Sequence, residues 1–165
     1  MKALVTFVSH TGNTEKVARA MVEAIHAEKD IMPVNEVHGV EQYDVIFCGF
    51  PVQSHSVPPA AADFIRNLPE GKKIALFATH GSLRGGHLAV TAIEQAVSLA
   101  LKAKVLGTFG CRGKVSDNLI DALMNKPEHK AWAIEAQGAH GHPDQADLED
   151  AQEFTKKMMA KASSL

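Results

Sequence analysis

Three stretches of this chain are too apolar to face water on either side: Ala3 to Val8, Asp44 to Phe50 and Lys73 to Thr79. A near-continuous run of β-formers is the pattern of a strand covered on both faces. Between these runs the spacing turns helical. From Glu15 to about Ala27 the apolar positions are Val17, Ala18, Met21, Val22 and Ile25, one face of a helix. Pro58 and Pro59 suit the first turn of a helix reaching about Leu68. His87 to Leu101 forms another helix, with Leu88, Ala92, Ile93, Ala96 and Val97 inward. Met32 to Val37 is a shorter, weaker strand, and Lys104 to Cys111 a fifth one weakened by its glycines. Strand and helix in alternation, with strands this apolar, predict an α/β fold: a doubly wound five-stranded parallel sheet with helices on both faces, a three-layer sandwich. Beyond the fifth strand the spacing predicts helices over Asp117 to Asn125, Pro127 to Gln137 and Asp147 to Ala162. Gly138 to Asp144 is the turn before the last, which Asp144 or Asp147 could cap.

A length of 165 residues suits one domain, residues 1–165, with extra helical cover at about 116–165. The formal net charge of -2 provides no field that would draw nucleic acid or an anionic membrane. No apolar run approaches the roughly 18 residues that a bilayer span requires. The N-terminus reads as a first strand, not a signal peptide. Cys48 and Cys111 have no metal-ligand spacing and form no disulfide framework, which suggests a reducing, cytoplasmic setting. Cys48 falls inside a buried strand. Cys111 neighbours Arg112, which could lower its thiol pKa, although packing is the favoured reading for both.

Ligands bind such sheets beyond the carboxyl ends of the strands, where the strand order reverses. The loop after the first strand is Ser9-His10-Thr11-Gly12-Asn13-Thr14. Free main-chain N–H groups at a helix start favour an anion, and Gly12 allows a tight turn and close approach. Ser9, Thr11 and Thr14 add hydroxyl donors, and Asn13 an amide. Such a cradle holds a phosphate with dipoles alone. It is not a Walker loop, which needs a lysine followed by serine or threonine, and no G-x-G-x-x-G stands here or between Gly81 and Gly86. A response regulator would need acidic residues after the first strand. The alternative is a plain turn capped by Ser9 or Thr11, with no ligand.

"SHTGNT" resembles the flavodoxin phosphate-loop pattern S/T-x-T-G-x-T at all of its defined positions, and "CGFPVQSHSVPP" and "ALFATHGSLRGG" look like the two loops that enclose the flavin ring. The resemblance covers roughly the first two-thirds of the chain. It implies strand order 2-1-3-4-5 and FMN as cofactor. Ser9, His10, Thr11, Gly12, Asn13 and Thr14 would hold the FMN phosphate. Pro51, Val52, Gln53, Ser54 and His55 would border one ring face, and Thr79, His80, Gly81, Ser82 and Arg84 the other. The implied role is an electron-transfer protein working between a reductase and an acceptor oxidoreductase. The alternatives are an FMN-dependent reductase acting on a small acceptor with NAD(P)H, and a cofactor-free interaction module.

The chain departs from the family in two ways. Neither Pro51 to Val57 nor Thr79 to Gly86 contains Phe, Tyr or Trp, so one flavin face would lack the stacking contact worth about 1 kcal/mol beyond burial. The expected rim also carries His10, His55, His80, His87, Arg84 and Arg112 where flavodoxins are strongly acidic. His10, His55 and His80 end neighbouring strands and could converge. Without a carboxylate or cysteine beside them they read as polar rim residues, not a metal site. His140 and His142 read as a solvated turn. Trp132, in the C-terminal helices, could belong to sheet cover, a dimer surface or a partner site.

Overall fold

The computed structural model describes all residues, Met1 to Leu165. Its elements run β1 (Lys2–Phe7), α1 (Asn13–Glu23), β2 (Glu28–Pro33), a 3-10 turn (Val34–Glu36), β3 (Val45–Pro51), α2 (Pro59–Arg66), β4 (Lys73–His80), α3 (His87–Leu99), β5 (Lys104–Arg112), α4 (Asp117–Met124), α5 (Pro127–Gln137) and α6 (Gln145–Ser163). All neighbouring strands pair in parallel, in the order β2-β1-β3-β4-β5. The expected doubly wound α/β sheet is therefore present, and its order reverses between β1 and β3.

Strand alternation divides the interior into two cores. Val5, Phe47, Phe77 and Phe109 face α1 and α6 and pack with Val17, Met21 and Ala151. Leu4, Ile46, Phe50 and Leu76 face α2 and α3 and pack with Ile65 and Ala96. Each large apolar side chain buried in this way contributes roughly 1.5–3 kcal/mol. Pro59 occupies the first turn of α2, as its fixed φ favours.

Two boundaries differ from the sequence expectation. The second strand is Glu28–Pro33, earlier than Met32 to Val37, and α1 ends at Glu23. β2 lies at the sheet edge and is only partly covered, so its sequence EKDIMP carries no apolar run to reveal it. Polar contacts hold it instead. Lys2 Nζ pairs with Glu28 (2.8 Å) and Asp30 (3.0 Å), and the Tyr43 hydroxyl donates to Asp30 (2.8 Å).

The other edge, β5, is bulged at Leu106, opposite the step from Ile74 to Ala75. The Leu106 carbonyl accepts from Lys161 Nζ at 2.6 Å. A bulge and a lysine both blunt an open edge. Of the helices beyond Ser116, α6 covers β5 and α1. The α4–α5 hairpin packs chiefly on itself, with Ile120, Ala133 and Ala136 at its centre and Val115, Leu123, Met124 and Trp132 around them.

Candidate functional site

Gly12 caps α1 in the left-handed region, at φ +89°, with no side-chain cap bond. Nothing lies within 4 Å of the position that a Cβ would take, so the reason for glycine is backbone conformation alone. None of the main-chain amides of residues 10–14 donates to a group in the chain. Ser9 and Thr11 do not cap the helix. Ser9 Oγ accepts a long bond from the Glu15 amide (3.3 Å), and the Lys16 amide donates to the Gly12 carbonyl (2.9 Å). His10 and Thr11 are exposed.

Two side chains of this loop are engaged inside the protein. Asn13 Nδ2 donates to the Lys114 carbonyl (2.9 Å) and to Thr11 Oγ1 (3.3 Å). Its amide is thus a brace to the segment after β5, in place of the free donor expected from sequence. The Thr14 and Thr79 hydroxyls lie 2.8 Å apart, with the residues 1 % and 3 % exposed. When Thr79 donates, the hydrogen of Thr14 is left for a group in the loop.

The loop after β3 leaves the sheet at Pro51. The Val52 amide donates to the Thr79 carbonyl (2.8 Å), and Gln53 and Ser56 exchange backbone bonds of 3.0 and 2.8 Å. Between them Ser54 (φ 46°) and His55 (φ 62°) adopt left-handed conformations. Such backbone is uncommon outside glycine. Here it turns Gln53, Ser54 and His55 out to solvent at the carboxyl end of the sheet.

The loop after β4 departs from the expectation of a histidine and an arginine facing outward. His80 continues the alternation of β4 and is buried, 4 % exposed, with its ring against Gly110. Its Nδ1 bonds the Ser82 carbonyl (2.9 Å), which assigns the ring hydrogen to Nδ1. Burial lowers its pKa below the usual 6.5, and the charges of Arg112 and Arg84 act in the same direction; the Ser82 bond and Asp147 oppose them. The three histidines that end β1, β3 and β4 therefore do not converge. Arg84 is committed to α6, pairing with Asp150 (2.5 Å) and lying over the Phe109 ring at 5.3 Å.

Arg112 is also turned inward. Its Nη2 donates to the Gly81 carbonyl (3.0 Å) and to the Glu135 carbonyl (2.6 Å), while its Nε is buried without a partner in the chain. Glu135 Oε1 in turn accepts from the Leu83 amide (2.5 Å). A Cβ on Gly81 would lie 2.4 Å from Val115 Cγ2 and 3.4 Å from Trp132 Cζ2, so the α4–α5 hairpin rests on this loop. Sequence reasoning missed Glu135, which looks like any surface carboxylate of a helix.

Cys48 and Cys111 are fully buried, and burial pushes both thiols up to about 12. The lowered pKa considered for Cys111 does not occur, because burial, and after it the charge of Asp147, disfavours the thiolate. His140 is exposed as expected, whereas His142 is half-buried: its Nδ1 meets Asp147 Oδ2 at 2.5 Å, within a reciprocal cap in which Asp144 and Asp147 bond each other's amides. Lys16 Nζ donates to the Pro143 carbonyl (2.6 Å), tying this turn to α1.

Comparison with known proteins matches residues 4–156 to the flavodoxin domain family. The flavodoxin-like domain-containing protein BilS of Clostridioides difficile (strain CD3) is 34 % identical over 175 residues, covering 99 % of each chain. Among solved structures, the flavodoxin of Streptococcus pneumoniae TIGR4 superposes with a TM-score of 0.66 at 14 % identity, over 98 % of this chain and 99 % of that one. A flavoprotein of Lactobacillus acidophilus NCFM, solved in complex with FMN, gives a TM-score of 0.55 at 16 % identity, over 73 % of this chain and 97 % of that one.

Proposed function

The chain belongs to the flavodoxin family, and on that premise we propose that it holds FMN at the open ends of β1, β3 and β4 and carries electrons between a reductase and an acceptor oxidoreductase. The observation that supports this most is the turn at Gly12. Five consecutive amides with no acceptor in the chain, at the positive end of α1, suit the phosphate of a mononucleotide. Thr11 Oγ1 and the Thr14 hydroxyl add donors, and Thr79 orients the second of these. Pro51 to His55 border one side of the ring. The backbone of Thr79 to Ser82 borders the other, with the side chains of His80 and Arg84 held elsewhere.

FMN, when bound, supplies reversible electron acceptance. The chain supplies the seat and the surrounding charge. Residues 9–14, 51–57 and 79–87 contain no carboxylate. The Arg112 guanidinium, a cation, lies 3.0 Å from the Gly81 carbonyl. A site with these charges favours an anionic reduced cofactor and raises its potential above that of acidic flavodoxins. Redox titration of the FMN-loaded protein measures this, and a second-electron potential as low as theirs would refute it.

The missing aromatic residues in both ring loops favour a second reading, a reductase whose exposed ring meets NAD(P)H or a small acceptor directly. Absorbance spectra with FMN added and removed, together with calorimetry, test the cofactor. Colourless protein with no uptake of FMN would leave only the cofactor-free interaction module. Slow NAD(P)H oxidation alone, with reduction by a partner reductase, is expected of the carrier. Rapid turnover of NAD(P)H with a quinone would select the enzyme.

A further inference from the structure

We propose that Arg112 and Glu135 form a clamp through which the α4–α5 hairpin positions the loop Gly81 to Arg84, making the hairpin a working part of the cofactor site. The inference rests on the FMN reading above. Its basis is where the polar groups of this loop find partners. The Gly81 carbonyl accepts from Arg112, the Ser82 carbonyl bonds His80, and the Leu83 amide donates to Glu135. One guanidinium nitrogen thus spans the loop and the last turn of α5, while the Glu135 side chain reaches back to the loop it faces. Glu135 is used twice, carbonyl to Arg112 and carboxylate to Leu83.

The placement of charge supports the clamp. Arg112 lies where α5 ends: a Cβ on the capping residue Gly138 would be 3.1 Å from Nη1. A cation there meets the negative end of the helix. Taking a guanidinium out of water is costly unless its donors are satisfied; the partners Arg112 has in the chain, both on Nη2, are one carbonyl of the loop and one of the helix, so Arg112 favours the arrangement in which loop and helix are both docked. Gly81 permits the contact, because any side chain would strike Val115. If the hairpin lifts, Leu83 loses its tie to Glu135 and Arg112, at the end of β5, keeps only the Gly81 carbonyl of the two that it joins, so the site edge formed by Gly81 and Ser82 is held less firmly.

Arg112 and Glu135 are accordingly positioning residues, and they are tested through Glu135→Ala, Glu135→Gln and Arg112→Lys. E135A removes the acceptor for Leu83, E135Q keeps an oxygen there, and R112K keeps the charge without the fork. Hydrogen exchange of the Leu83 amide, FMN affinity by calorimetry and the potential of the bound flavin are measured. Trp132 fluorescence checks that the hairpin stays folded. E135A should speed Leu83 exchange about tenfold and weaken FMN binding about fivefold, as expected for loss of one charge-assisted bond at a partly exposed site. It should also shift the potential, and E135Q should restore most of each effect. R112K should weaken binding without unfolding the hairpin. Unchanged Leu83 exchange in E135A would overturn the clamp. Faster exchange with unaltered affinity and potential would overturn its role in the site. Failure of the wild type to take up FMN would overturn the parent reading, a result distinct from a wild type and E135A that bind equally well.

Discussion

Replacing Thr14 with valine preserves the shape of the side chain and removes one hydroxyl. The structure makes two separate consequences measurable. In the cofactor-free protein, Thr79 loses its partner while staying 3 % exposed. A buried polar group left unpaired costs about 1–3 kcal/mol. Thr79→Val orphans Thr14 in the same way. The double variant T14V/T79V has neither hydroxyl, and replacing both partners with apolar groups of the same shape is nearly neutral. The two losses should therefore be far from additive, with a coupling of about 2–3 kcal/mol, the upper part of the range seen for residues in direct contact. Each single variant should lower Tm by about 2–12 °C for a chain of this length. FMN binding separates the pair in the other direction. T14V removes a donor to an anion, worth about 1.5–3 kcal/mol, or roughly ten- to hundredfold in Kd. T79V leaves that donor in place and should cost less than about fivefold, through looser orientation of Thr14. Chemical denaturation gives the stabilities, and calorimetry gives the affinities. Additive stability losses would refute the buried pair, and an unchanged Kd in T14V would refute contact between this hydroxyl and the phosphate.

Other consequences follow from the same geometry. His80 has a depressed pKa when folded, so the unfolded chain binds its proton first, at about the ordinary 6.5. Its contribution is fully present above that pH and is lost as pH falls through the lower folded value. Urea midpoints should decline over that interval, and the decline should be shallower in His80→Asn; identical profiles would show that His80 is not the group responsible. Both cysteines should resist thiol reagents in native protein and react after unfolding, because both thiolates are disfavoured by burial; fast labelling of Cys111 in the native state would contradict this. Gly12→Ala meets no atoms but is strained at φ +89°, costing about 1–2 kcal/mol. Its Tm should fall and its FMN affinity should weaken, whereas an unchanged Tm would mean that the turn can adopt another conformation.

The central strands and most helices were legible because each carries its burial in its own residues. β3 is apolar on both faces whichever helices arrive, and the loop before α1 advertises an anion seat through Gly12 and its hydroxyls. β2 was misplaced because an edge strand needs no such pattern: Glu28 and Asp30 are set there by Lys2 from the neighbouring strand. The histidines were misread for a related reason. One more step of β4 alternation turns His80 inward beneath α3, and the turn that exposes His55 depends on backbone conformation.

Residue order alone determined the layers of the sandwich, the end of the sheet that is functional and the dipolar loop, since periodicity and helix-start chemistry act over a few neighbouring residues. Only the folded chain decided which of those side chains remain free. Thr14 is joined to Thr79, Asn13 to Lys114 and Leu83 to Glu135, at separations of 65, 101 and 52 residues. A hydrogen bond depends on what stands opposite the group, and at such separations that is settled by packing.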